Sequence, residues 1–276
     1  GMLGAAIVTG NTVVHKGSER CPATFARLNA LFAEVLPDGV LIGVDGDATT
    51  GELLLAQEGI DVYAHVGSTA TGDRLSDVAA TTRAHVIREN GGNDPVIVDA
   101  DVDPEWAAAQ VALGAFANTG QICTSVERVY VHQDVAEPFV AALVAEAERR
   151  TAAPAAEFGP LVDDRLRELV QHHVDDAIAR GASARTGGVT PGGLGSFYPA
   201  TVLTDCTDDM LVLTEETFGP IAPVRVVTDF AEGLRLAAAD RYGLAATVLT
   251  NDTAHALRAA AELPVGTVKV NAVFGG

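Results

Sequence analysis

Positive charge is scarce in this chain of 276 residues. Lys and Arg number 18 against 37 Asp and Glu, a net charge of −19. Nucleic acids and anionic membrane surfaces both need a cationic face, so neither is expected as a partner. Cysteine is scarce as well. Cys21, Cys123 and Cys206 are odd in number and widely spaced, with no CxxC pair, so neither a disulfide framework nor a zinc site is indicated. A reducing, cytoplasmic setting fits that usage. No apolar run reaches bilayer-spanning length, and no signal-peptide pattern opens the chain. Gly1 before Met2 reads as a tag scar and is set aside.

What is present is apolar and periodic. Hydrophobic residues make up 48% of the chain, enough for a sizeable core and against disorder. In the first ninety residues short apolar runs alternate with helical patterns. "NTVVHK", "GVLIGVDG", "DVYAHVGS" and "AHVIREN" read as strands. "CPATFARLNALFAEV" places Phe25, Leu28, Leu31 and Phe32 at helical spacing, and "TTGELLLAQEG" and "GDRLSDVAATT" read as two further helices. Such alternation predicts a parallel sheet with helices on its faces. Beyond "NGGNDPVIV" the pattern continues more loosely. Helices are expected over 104–118, 135–151, 163–181, 229–239 and 252–262. Strands are expected at "PIAPVRVV", "AATVLT" and "GTVKVN", and a glycine-rich hairpin or loop at "GGVTPGGLGSFYPATVL". The adjacent glycines Gly91 and Gly92 mark a boundary between a domain over 1–92 and one over 93–276.

Parallel sheets bind ligands at the carboxyl ends of their strands. There the sequence offers Lys16 and Glu19, then "GDATTG", then "GSTATG" with Gly67 and Ser68, then Glu89 beside Gly91 and Gly92. Glycine and Ser or Thr at such turns are also ordinary helix caps, and a lone Lys or Glu is ordinarily solvated. Glu89 ends an apolar strand, where burial is expected and a carboxylate needs a purpose. Cys123, in "GQICTS", is either a nucleophile or a small buried hydrophobe. Cys21 and Cys206 fit the second description. His172, His173, Asp175 and Asp176 read as a solvated helix face rather than a metal site.

Six segments in order resemble the aldehyde dehydrogenase superfamily: "TGNTVVHKGSE", "HVGSTATG", "RENGG", "GQIC", "FGPLV" (Phe158–Val162) and "EETFGPIAPV" (Glu215–Val224). The resemblance implies an α/β fold, with a Rossmann-like cofactor-binding sheet and a second, catalytic α/β domain. It implies oxidation of a small-molecule aldehyde to a carboxylic acid, in a homo-oligomer. Cys123 matches the family's nucleophile and Glu89 the base that activates the hydrolytic water. Glu216 and Phe218 match positions at the nicotinamide ribose and ring. Lys16 and Glu19 match contacts to the adenosine ribose, and Gly67 and Ser68 a pyrophosphate turn at a helix N-terminus. A carboxylate suits a 2′-hydroxyl and repels a 2′-phosphate, so NAD is favoured, with NADP possible as the alternative cofactor.

Two departures from the family follow. Asn93 stands where a lysine is usual. The chain also starts at the family's second cofactor-binding strand, without the strand and asparagine that precede it, and stops at "VKVNAVFGG". An unpaired parallel edge and uncovered apolar surface are therefore expected, together with loss of one oxyanion donor, a factor on the order of a hundred in rate. Two readings stay open: an NAD-dependent dehydrogenase, and a folded, non-catalytic remnant of one. An acyl-CoA-forming relative fits less well, because it does without the glutamate base.

Overall fold

The computed structural model describes residues 1–155 and 157–274, which fall into two compact units, 1–90 and from Gly91 onward. The first unit runs α1 (Met2–Val8), β1 (Val13–Lys16), α2 (Pro22–Ala33), β2 (Leu41–Val44), α3 (Ala48–Leu55), β3 (Val62–Val66), α4 (Thr69–Thr82) and β4 (His85–Glu89). Proline opens α2, where its missing N–H costs nothing. Asp47 and Ser68 cap α3 and α4 by accepting the N–H groups of Thr49 and Thr71. Tyr63, Leu75 and Ala79 form a small core under β3 and β4.

The expected parallel pairing is present, but not as one sheet. β1 pairs with β2, β3 pairs with β4, and among the described residues no ladder joins the two ribbons. The chain leaves β2 through α3, which is tied to α4 by the Glu52–Arg74 pair and does not bring β3 alongside β1 or β2. Each ribbon thus keeps an open edge, and Val14, Ile42, Val62, Val66 and Ile87 are all at least 46% exposed. Glu89, expected to be buried, is exposed, because β4 has a neighbour on one side only.

The second unit runs β5 (Asp94–Val98), α5 (Pro104–Phe116), β6 (Val126–His132), α6 (Gln133–Thr151), α7 (Asp164–Ala179), β7 (Ser183–Thr186), β8 (Thr201–Thr204), α8 (Leu211–Thr214), β9 (Ile221–Val227), α9 (Phe230–Ala238), β10 (Ala245–Leu249), α10 (Thr253–Glu262) and β11 (Thr267–Val270). Among the described residues its seven strands lie in the order β11-β10-β5-β6-β9-β8-β7, all parallel except β7. Helices cover both faces, so β5, β6 and β10 are buried almost throughout. That explains their unbroken valine-rich runs in place of polar alternation. One core packs α5 and α6 on the sheet through Val111, Phe116, Phe139 and Leu143. Another packs α9 and α10 through Phe230, Leu234 and Ala259. Part of the acidic surplus is structural: Asp103, Asp163, Asp229 and Asp252 cap α5, α7, α9 and α10.

Candidate active site

The residues singled out in the first unit gather at the carboxyl ends of its strands. Lys16 ends β1 and its ammonium lies 3.5 Å from the Glu19 carboxylate. A hydrogen bond from Glu19's own backbone holds its carboxyl below the usual range, helped by Lys16. Gly67 and Ser68 follow β3 and lead into α4. The Gly67 N–H donates to the Glu89 carbonyl at 3.1 Å, so the turn and the carboxylate-bearing strand end are joined.

In the second unit the site lies at the opposite end of its sheet. Cys123 precedes β6, Glu216 and Phe218 precede β9, and Gly91 and Gly92 precede β5: all are amino-terminal to their strands. Cys123 is exposed, which removes the buried-hydrophobe description for it. Cys206 is buried, as expected; Cys21 is exposed, because it sits at the N-cap of α2.

The turn carrying Cys123 is strained and strongly held. Asn118, Thr119 and Gly120 take left-handed φ values of 49°, 59° and 74° in succession. For non-glycine residues that conformation costs on the order of 1–3 kcal/mol each. Asn118 and Gln121 bond each other's backbone carbonyls at 3.0 and 3.1 Å. The Thr119 hydroxyl donates to the Gly159 carbonyl at 3.0 Å, and the Val162 N–H donates to Gln121 Oε1 at 2.8 Å. Gly120 abuts the Gly219 backbone so closely that no Cβ fits. Three separate sequence segments, "GQIC", "FGPLV" and "EETFGP", are thus one tertiary assembly.

Glu216 and Cys123 meet over the glycine pair. The Gly92 N–H donates to Glu216 Oε1 at 3.1 Å, and a Cβ on Gly91 would collide with the same carboxylate. A Cβ on Gly92 would lie 2.6 Å from the Cys123 carbonyl oxygen. Glycine at both positions is what allows this approach. Burial raises the Glu216 carboxyl above its usual range.

Several residues missed in the sequence hold this arrangement. Glu127, 6% exposed, accepts the N–H groups of Thr217 at 2.6 Å and Phe218 at 2.9 Å, fixing Phe218 at a left-handed φ of 52°. Burial pushes the Glu127 carboxyl up to about 8 against the pull of those two donors. His173 is buried, not solvated, and its Nδ1 lies 3.1 Å from the Thr217 hydroxyl; among the described residues no metal-ligand cluster forms. Arg128 is 3% exposed and pairs with Asp240 at 3.1 Å. Its guanidinium also donates to the Asn93 carbonyl at 2.7 Å, and the Asn93 amide donates to Asp240 at 3.0 Å. Asn93 is therefore a buried strut of the loop that carries the glycine pair. A visible signal existed: "VERVYV" sets Glu and Arg side by side at the start of an apolar strand.

The aldehyde dehydrogenase family model matches residues 1–276. The chain belongs to the aldehyde dehydrogenase family. It is 38% identical over 277 residues to alpha-ketoglutarate semialdehyde dehydrogenase of Haloferax volcanii, covering 98% of this chain and 58% of that protein. It is 34% identical to human retinal dehydrogenase 2, covering 98% and 53%. The NAD+ complex of aldehyde dehydrogenase from Bacillus cereus superposes with a TM-score of 0.94 at 34% identity, covering 100% of this chain and 57% of that one. The complex of 3,6-anhydro-L-galactose dehydrogenase with NAP gives 0.94 at 34% identity, covering 99% and 60%. The chain thus spans somewhat over half the length of the family members it matches, and the α/β fold expected from the sequence is the one observed.

Asp94 gives this family member a testable pH signature. It is 3% exposed, and burial raises its carboxyl from 3.8 to about 7. Between those values the native state keeps a proton that the unfolded chain has released. Stability contributed by this group therefore falls as pH rises from about 4 to about 7. Asp94→Asn still accepts from the Ala245 N–H, which donates to Oδ1 at 3.1 Å. The variant should gain on the parent by up to a few kcal/mol between pH 4.5 and pH 8, read from urea unfolding at each pH. A constant difference between the two would show that Asp94 is not held protonated.

Proposed function

We propose that this chain carries the nucleophile and the main cofactor contacts of an NAD-dependent aldehyde dehydrogenase. The observation that bears most weight is the convergence of Glu216 and the Cys123 backbone on Gly91–Gly92. It is supported by the names of the family members above, which oxidise aldehydes and, in the Bacillus cereus structure, hold NAD+. The residues present fit that cofactor. Glu19 presents a half-exposed anionic carboxylate, an acceptor for ribose hydroxyls that repels a 2′-phosphate. Ser68 opens a helix of 14 residues, whose first N–H groups favour a phosphate. The carboxylate of Glu216, fixed by the Gly92 N–H, is an acceptor for the nicotinamide ribose, with Phe218 two residues on.

In the proposed reaction the Cys123 Sγ bonds to the aldehyde carbon. The Cys123 N–H is one donor to the oxygen that becomes anionic. When bound, NAD supplies the hydride acceptor that makes oxidation to a thioester possible. Glu89 then takes a proton from a water molecule, whose oxygen displaces the Cys123 sulfur and releases the carboxylic acid. The direct test is NADH formation at 340 nm across an aldehyde panel, with Cys123→Ala as the control. No NADH from any aldehyde would favour the non-catalytic reading. For cofactor choice, calorimetric titration should show NAD binding more tightly than NADP, and Glu19→Gln should narrow the gap. Tighter NADP binding by the parent would remove Glu19 from the ribose.

A further inference from the structure

We propose that Glu127 is a positioning residue that ties the Thr217–Phe218 turn, beside Glu216, to the turn that carries Cys123, so that the two turns open together. The proposal rests on the reading of Glu216 and Phe218 as cofactor contacts for its consequence, and on hydrogen bonds alone for its geometry.

The clasp is built on successive N–H groups. Thr217 donates to Glu127 Oε2 at 2.6 Å and Phe218 donates to Oε1 at 2.9 Å, so both carboxylate oxygens are spent on one turn. Consecutive N–H groups converge on one point only where the backbone leaves its ordinary regions, and Phe218 does so at a φ of 52°. Such a concavity binds anions, and here a side chain of the same chain fills it. A bulky residue keeps a left-handed φ only where its surroundings impose it. The carboxylate stays although burial works against its charge and Glu216 and Asp94 add to the cost.

The other end of the clasp is the cysteine turn. Glu127 lies at the start of β6, and Ser125, ahead of it, is 1% exposed. The Ser125 N–H donates to the Ile122 carbonyl at 2.9 Å and its hydroxyl to the Gly120 carbonyl at 3.1 Å, closing a loop around Cys123. Gly120 in turn abuts the Gly219 carbonyl. The segment 217–219 is therefore gripped twice by the segment 120–127, through Glu127 and through Gly120. Helix α7 backs the same turn: the Thr217 hydroxyl lies 3.1 Å from His173 Nδ1, and a Cβ on Gly219 would collide with Val170. Glu216 precedes Thr217 directly and accepts from the Gly92 N–H, so a loosened Thr217 frees that carboxylate as well.

The test is residue-resolved amide hydrogen exchange by NMR, on the chain without cofactor or aldehyde. In the parent, followed at rising low concentrations of urea, the amides of Thr217, Phe218 and Ser125 should share one opening free energy. It should lie below that of amides in the middle of β6 and β10. This measurement needs no variant. Glu127→Gln keeps the length and one acceptor but sets an amide NH2 against the second donor. It should speed exchange roughly tenfold or more at Thr217 or Phe218, and at Ser125, with mid-β6 and mid-β10 amides unchanged. By calorimetry the same variant should bind NAD roughly tenfold more weakly. Separate opening free energies for the two turns in the parent would overturn the proposal. So would a variant in which Ser125 exchanges as before, in which acceleration spreads evenly over both strands, or in which NAD affinity is unchanged with both turns loosened. A parent that shows the shared opening but binds no NAD would overturn the cofactor reading and leave the clasp standing.

Discussion

Replacing Cys123 by alanine is expected to abolish aldehyde-dependent NADH formation and ester hydrolysis together, by on the order of a thousandfold or more. Both reactions need a covalent acyl–sulfur intermediate, and neither other cysteine can take over. Cys206 is buried and its thiol is pushed up to about 12 by burial. Cys21 occupies the N-cap position of α2 in the first unit, with no capping bond from its side chain. Glu89→Gln should behave differently. The amide keeps shape and hydrogen bonding but accepts no proton, so acylation proceeds and hydrolysis stalls. Rapid mixing should show one burst of NADH, at most one per active site, then slow turnover. Parental turnover in Glu89→Gln would reduce Glu89 to a structural role. Activity in Cys123→Ala would return the exposed thiol to the status of a bystander.

The contrast between these residues mirrors what could be read in the sequence. Cys123, Glu89, Glu216 and Phe218 each sit beside a glycine-marked turn, and such turns survive as local patterns. The long helices were legible for a similar reason: α6 and α7 carry their periodicity within one segment. β7 and α8 were not, being four residues each and dependent on tertiary contacts. Glu127 acts on backbone N–H groups ninety residues away, and nothing in "VERVYV" states where they are. The expectation for Glu89 failed because burial depends on how many neighbours a strand has, and β4 has one. His173 was misjudged because the adjacent His172 does face solvent, and one turn of helix presents both a wet and a dry side.

The largest effect on stability is expected from Arg128→Met. The guanidinium is almost fully buried, with Asp240 as its counter-charge. It also satisfies the carbonyls of Asn93, Leu236 and Ala237 and bonds the Tyr130 hydroxyl. Methionine fills much of the volume but leaves Asp240 as an uncompensated buried charge, a loss of roughly 3–5 kcal/mol. For a unit of this size that lowers the melting temperature by about 10 °C or more. Removing the exposed Arg74 from its pair with Glu52 should change stability by less than about 1 kcal/mol. The double variant Arg128→Met with Asp240→Leu separates charge from packing. If the stranded carboxylate is the main cost, the double variant should recover much of the loss, and the double-mutant cycle should show coupling well above experimental error. Additive losses would mean that the guanidinium matters for the backbone carbonyls instead. The same scan bears on the site, because Asn93 follows Gly91 and Gly92 directly and is anchored by both Arg128 and Asp240. A loosened Asn93 shifts the Gly92 N–H that holds Glu216, so cofactor affinity should weaken in Arg128→Met even at temperatures where the fold is intact.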